Sequence, residues 1–318
     1  MSPRRRFGKK LIKSLLPILL VLALALVAVL GFIVYGVTRP PRRPYLVTPQ
    51  AFRDISGPVI RVSDETWTNT DGTRARGWLL RGGEGAPAVI FLHRYGADRS
   101  WLFNLGVKLN EATDFTILWP DLRGHGQNPL VKYTAFGGLE SDDVIAAVGY
   151  LRSLKTSTGR KLIGNKIGLY GVELGAYAAL LTAPKDNEVS VLVLDSIPRG
   201  ADGLLRAVVS DRYELDNNLL HNLVQTATRL YLMKGYQNTP SCELAATLNT
   251  QRVLLLSGSD AGYLRESTNA LAQCFQAKEN LEVKTDLPLS GFRLASATGE
   301  QGEGYDRGVI EYFDKTLR

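Results

Sequence analysis

Residues 166–175 read Lys166-Ile167-Gly168-Leu169-Tyr170-Gly171-Val172-Glu173-Leu174-Gly175. An apolar run of buried-strand type, Lys166–Val172, passes directly into the helical segment Leu174–Leu181. The same grammar recurs on either side. Strands are expected at Ala88–His93, Thr116–Asp121, Val189–Asp195, Arg252–Gly258 and Leu281–Thr285, and helices at Trp101–Asn110, Glu140–Ser153, Leu264–Ala277 and Gly308–Leu317. In the helix from Glu140, the residues Val144, Ala147, Val148 and Leu151 recur at spacings of three and four, which marks one buried face. Buried strands alternating with helices predict an α/β class with a mostly parallel sheet covered on both faces. Ahead of them, Pro58–Val62, Thr66–Asn69 and Arg74–Leu80 read as an antiparallel entry hairpin turning at Asp71-Gly72. Arg199–Pro240 breaks the alternation with Leu-rich helical sequence and is a candidate cap over about 199–240.

The first 43 residues differ in composition from the rest. Residues 1–13 are basic, and the 25 residues Ser14 to Thr38 carry no charge and are dominated by Leu, Val and Ala. That length crosses a bilayer of about 30 Å. A cleaved signal peptide is the alternative, but the apolar run is long for one and no clean small-x-small site follows. Six basic residues precede the run, and only Arg39, Arg42 and Arg43 follow it closely. The positive-inside rule therefore predicts a single-pass helix with a cytoplasmic N-terminus and an extracytoplasmic domain. Residues 39–57 read as a linker, with Pro40, Pro41 and Pro44 expected to act as an extended spacer that holds the domain just off the membrane. The domain itself is expected at 58–318.

The formal charge of +7 belongs to the anchor region: residues 1–43 hold nine Lys/Arg and no acids, leaving 29 basic against 31 acidic residues. A domain near −2 offers no basic face, so nucleic acid is not an expected partner. The two cysteines, Cys242 and Cys274, are read either as a bridge formed outside the membrane or as two buried thiols. No zinc-site spacing or cofactor motif is present, so neither a metal nor a cofactor is expected. Glu140, Asp142 and Asp143 read as helix-dipole complements at a helix start.

Three motifs in order carry a resemblance. Phe91-Leu92-His93-Arg94-Tyr95-Gly96 follows the third strand, Asp121-Leu122-Arg123-Gly124-His125-Gly126 the fourth, and Gly171-Val172-Glu173-Leu174-Gly175 the fifth. Together they resemble the α/β-hydrolase fold family, its membrane-anchored esterase- and lipase-like branch in particular, from about Pro58 to the C-terminus. The resemblance implies an elbow Gly-x-nucleophile-x-Gly, whose glycines let strand and helix approach. Glu173 occupies the nucleophile position.

A carboxylate has no hydroxyl proton for a base to remove, so the change alters the reaction class. The family's histidine is also missing from the loop after the last strand, which reads Pro288-Leu289-Ser290-Gly291-Phe292-Arg293-Leu294. The three histidines present, His93, His125 and His221, fall in the oxyanion loop, the turn after the fourth strand and the cap. Asp260 matches the family's acid and has no histidine to orient; a loop-capping role is the alternative. The resemblance implies oxyanion donors at the amide of Leu174 and an amide near Arg94, beside His93. Glu173 is expected to accept those amides itself and to pair with Arg94 or Arg293, because a buried carboxylate needs donors or a cation. Ser196, Ser257 and Ser259 read as loop serines.

Two readings of function stand. One is a membrane-anchored hydrolase-like protein without triad activity that binds a small molecule or protein in its pocket or cap, or serves as a scaffold. The other is a hydrolase of ester or acyl substrates with Glu173 as nucleophile or general base.

Overall fold

The computed structural model describes residues 3–56, 61–296 and 299–318. In chain order the elements are α1 (Pro3–Val37), α2 (Pro49–Ser56), β1 (Val62–Thr68), β2 (Arg74–Leu80), β3 (Ala86–Leu92), α3 (Phe103–Thr113), β4 (Thr116–Pro120), α4 (Gly138–Ser153), β5 (Ile163–Val172) and α5 (Leu174–Thr182). They continue as β6 (Val189–Asp195), α6 (Ala201–Tyr213), α7 (Asn218–Leu232), α8 (Ser241–Thr247), β7 (Arg252–Gly258), α9 (Tyr263–Ala272), β8 (Leu281–Leu287) and α10 (Gly299–Leu317).

The eight strands form one sheet in the order β1-β2-β4-β3-β5-β6-β7-β8. β1 and β2 are antiparallel to each other, β2 is antiparallel to β4, and β4 through β8 run parallel. A parallel sheet needs cover on both faces, and two apolar clusters provide it. On one face α4 and α5 bury Val148, Leu151, Tyr177 and Leu180; on the other, α3 and α10 bury Phe103, Leu109, Val309 and Phe313. The expected α/β architecture is the observed one.

Several boundaries differ for identifiable reasons. β1 joins Val62, the end of the first expected run, to Thr66–Thr68 of the second in a single strand, while residues 58–60 of the expected hairpin lie outside the described residues. The turn itself holds: Gly72 has φ +80, and Asp71 accepts the amide and hydroxyl of Thr73. α10 begins at Gly299, not Gly308, because Gly299, Gly304 and Gly308 dilute the helical signal of its first half. α9 stops at Ala272, short of the expected Ala277. Cys274 just beyond it is bridged to Cys242 of α8, with the two Cα atoms 5.2 Å apart. That settles the question left open by the sequence.

α1 is long and apolar enough to cross a membrane over Leu15–Val37. The proline-rich exit does not hold the domain clear of it. Ile33, Val34 and Val37 are buried in the domain's core, the Val37 carbonyl accepts the Tyr95 hydroxyl, and the Thr38 carbonyl accepts the Thr134 amide. The following segment stays docked: Tyr45 donates to Asp121 at 2.8 Å and the Leu46 amide to Ser100 at 2.9 Å. It then forms the helix α2, whose signals were present in Thr48, accepting the Ala51 amide, and Pro49 at the first helical position.

Candidate ligand pocket at the strand-to-helix turn

The turn between β5 and α5 is built by close approach. A Cβ on Gly175 would sit 2.1 Å from the Leu92 carbonyl oxygen, and one on Gly171 would sit 2.5 Å from the Gly175 backbone. No larger residue fits, which is why glycine flanks position 173 on both sides. Glu173 lies between them at φ 50, ψ −104, a strained left-handed conformation. Its amide donates to the Asp195 carbonyl and its carbonyl accepts from Tyr177, so the strain is held by sheet and helix together.

The Glu173 side chain turns back onto the protein and is 6% exposed. Its Oε2 accepts the Tyr95 amide at 2.9 Å, and the neighbouring amide of Leu174 also favours the charged carboxylate. The donor in the loop after β3 is thus Tyr95, one residue beyond Arg94. Burial pushes the Glu173 carboxyl up to about 7; the Arg94 charge and the two amides act in the opposite direction.

Arg94 acts on Glu173 through its field and makes no ion-pair contact with it among the described residues. Its guanidinium lies over the rings of Trp101 and Phe292, 4.5 and 4.4 Å from their centroids, and donates to the Tyr95 carbonyl at 3.1 Å. Arg293 stands on the turn Gly291–Ser296, where its charge opposes that of Arg94.

Neither histidine beneath the pocket offers a base. In the buried His93, Nδ1 bonds the Arg94 carbonyl and Nε2 accepts the Leu122 amide, which requires the neutral ring protonated at Nδ1. Burial accordingly pushes its pKa down to about 4. His125 is packed edge-on against His93 and Tyr95, and burial lowers it to about 3. His221 sits in the cap with Nε2 3.3 Å from the Ser210 hydroxyl.

Asp260 accepts the amide and hydroxyl of Ser290 at 2.8 and 3.1 Å. A second carboxylate, Asp195 at the end of β6, holds the same loop through the Gly291 amide at 2.8 Å. Asp195 also accepts Tyr305 at 2.5 Å and Ser196 at 2.6 Å, and burial raises it to about 6. Asp195 escaped the sequence reading, although an acid at the end of a buried strand was its signal. Ser257 is buried and Ser259 contacts the Pro288 carbonyl at 3.4 Å; neither lies at the elbow.

The acids at the start of α4 are more than dipole complements. Fully buried Glu140 accepts the Ala135 and Gly137 amides and the Thr134 hydroxyl, while Asp143 pairs with buried Arg123. Among the described residues no cluster of His, Cys, Asp and Glu could hold a metal ion.

Over Glu173 opens a cavity of about 1210 Å³. It is lined by Glu173, Arg94 and Tyr95, by residues of α6, by Ala261, Tyr263 and Leu264, and by Pro41 and Arg43 from the α1 exit. Of the stretch expected as a cap at about 199–240, residues between Arg199 and Arg212 line this cavity. Tyr263 and the cap arginines carried no motif and were not legible in the sequence.

No protein-family model matches the chain. A curated protein, the dihydrolipoyllysine-residue acetyltransferase component of the acetoin cleaving system of Cupriavidus necator, is 34% identical over 85 residues, 26% of this chain and 21% of that protein. The chain thus spans about a fifth of that relative's length. Among solved structures, an esterase of Pyrococcus furiosus superposes with a TM-score of 0.65 at 22% identity, covering 89% of this chain and 99% of that one. A thermophilic esterase of Thermogutta terrifontis gives 0.55 at 18%, covering 80% and 100%. A dienelactone hydrolase of Anabaena variabilis gives 0.56 at 15%, covering 81% and 99%. At such identities the likeness establishes the fold: it is that of the α/β hydrolases.

Proposed function

We propose that this chain of α/β-hydrolase fold is a membrane-tethered binding protein without triad hydrolysis, using the cavity over Glu173 to hold a ligand. One observation carries the reading: the Glu173 carboxylate accepts the amide of Tyr95, a donor placed where a hydrolase would stabilise a substrate oxyanion, and the Leu174 amide beside it also favours the charged carboxylate. A tetrahedral intermediate would have to displace a resident carboxylate from its own donors. His93 is not free to move a proton, since both of its nitrogens are already bonded, and burial makes the neighbouring His125 a weak base. Asp260, the acid of the degenerate site, is spent on Ser290.

The apolar length Leu15–Val37 supports a membrane helix, and the excess of basic residues before it supports a cytoplasmic N-terminus with the domain outside. The Cys242–Cys274 bridge agrees with an oxidising compartment.

One observation favours the second reading, hydrolysis with Glu173 as nucleophile or general base: a carboxyl poised at about 7 has a base's pKa. Its weakness is that the same carboxylate is already engaged by the Tyr95 amide. The test is turnover of short- and medium-chain activated esters by the full chain in detergent beside Glu173→Ala. Equal background rates are expected; turnover that vanishes in Glu173→Ala would overturn the binding reading and establish a carboxylate-dependent hydrolase.

A further inference from the structure

Five arginines, Arg43, Arg94, Arg199, Arg206 and Arg212, line the cavity over Glu173. Among the described residues none of them forms an ion pair. Arg206 donates to Asn218 at 2.7 Å and Arg212 to the carbonyl of Gly36 at 2.9 Å, so both are fixed in place by neutral acceptors that leave the charge uncompensated. Arg94 is half-buried, and its Nε is buried without a hydrogen-bond partner. The acids facing them are Glu173, Asp211 and Glu266, also without ion pairs among the described residues. A concave wall with an excess of guanidinium groups focuses positive potential, and the planar fork of arginine matches a phosphate or carboxylate.

The rest of the lining is different in kind. Val208, Leu264, Phe292 and Tyr263 present apolar or aromatic surface to the same space. Pro41 and Arg43 belong to the segment that leaves α1, and Arg212 clamps the carbonyl of Gly36 near the end of that helix onto the cap. The cavity therefore opens where the apolar helix meets the domain.

We propose that this cavity binds an anionic amphiphile, a phosphate or carboxylate head gripped by the arginines with an apolar tail along the Val208, Leu264 and Phe292 wall. The proposal rests on the binding reading of the same cavity and names its ligand class. A neutral amphiphile would leave the excess of five guanidinium groups over three carboxylates uncompensated, and a small inorganic anion would leave the apolar wall and most of the cavity unfilled. The anionic amphiphile satisfies both halves of the lining. Its source is either the bilayer that α1 enters or the aqueous phase.

The test uses the full chain in nanodiscs of zwitterionic phosphatidylcholine, titrated calorimetrically with octyl phosphate against empty nanodiscs. Octyl glucoside and inorganic phosphate serve as the tail-only and head-only controls. Saturable binding of octyl phosphate is expected, at least about tenfold tighter than either control. It should weaken about tenfold or more in Arg199→Gln/Arg206→Gln, and with rising salt. Among the described residues the Arg199 side chain makes no hydrogen bond or ion pair, and it is exposed, so Arg199→Gln alone serves as a folded variant that should still weaken binding.

Phosphatidic acid doped into the disc that competes with octyl phosphate would support the site and assign its ligand to the bilayer; absence of competition beside intact octyl phosphate binding would support it with a soluble ligand. No saturable binding, equal binding of octyl glucoside, or equal binding of inorganic phosphate would overturn the proposal. Ester turnover is read separately: Glu173-dependent turnover with intact octyl phosphate binding removes the non-catalytic reading and leaves the anion site standing.

Discussion

The Tyr95 amide nitrogen lies 2.9 Å from Oε2 of Glu173. Tyr95 follows β3 and Glu173 follows β5, and the two strands are hydrogen-bonded neighbours whose pairing ends at Leu92 opposite Gly171. The register of the sheet thus delivers an amide to the carboxylate, and the desolvated site that results sets the behaviour of Glu173.

Burial raises the Glu173 carboxyl from 4.5 to about 7, so between those values the folded protein holds a proton that the unfolded chain has released. Stability contributed by the protonated form is present below about 4.5 and is lost as pH rises towards 7. Glu173→Gln, which does not ionise, escapes that loss. Urea unfolding of both proteins should show the wild type falling by about 1–3 kcal/mol relative to Glu173→Gln between pH 4.5 and 8. A difference that stays flat with pH would mean that Glu173 is ionised throughout.

Arg94 is the cation whose charge lowers the Glu173 pKa most. Arg94→Met keeps much of the packing between Trp101 and Phe292 and removes the charge, so the Glu173 carboxyl should titrate above 7. Carbon-13 shifts of the glutamate side chains report the midpoint; an unchanged midpoint would show that the amides alone set it.

Restoring a serine should not restore hydrolysis. Glu173→Ser supplies the hydroxyl and frees the Tyr95 amide, yet His93 keeps both ring nitrogens bonded and Asp260 remains on Ser290. Turnover of activated esters is expected to stay at the background rate. A Glu173→Ser variant that accumulates acyl-enzyme by mass spectrometry would reveal a base other than histidine.

The Cys242–Cys274 bridge closes a loop with a sequence separation of 32 and joins α8 to the end of α9, which flanks the cavity. Cys242→Ser/Cys274→Ser should lose about 3 kcal/mol in denaturant unfolding, chiefly because the unfolded chain regains freedom. Reduction of the wild type should shift its midpoint to that of the variant.

Local pattern was enough for the α/β class, the elbow and the apolar helix, because each is written in neighbouring residues: buried strand runs, glycines at 171 and 175, and 25 uncharged positions. The absence of a histidine from residues 288–294 was equally plain. Helix α2 was legible in principle from Thr48 and Pro49 but was obscured by the prolines around it.

What the tertiary structure alone decided was which distant groups meet. Tyr95 as the donor, Asp195 as a second anchor of the loop after β8, and the docking of the end of α1 against Tyr95 depend on strand order and register, which bring residues far apart in the chain within hydrogen-bond reach. The five arginines come from three separate segments and share no motif; only the folded chain places them around one cavity. Sequence patterns record what each residue must be next to along the chain, whereas burial, and with it the pKa of Glu173 and the field it feels, is a property of the assembled packing.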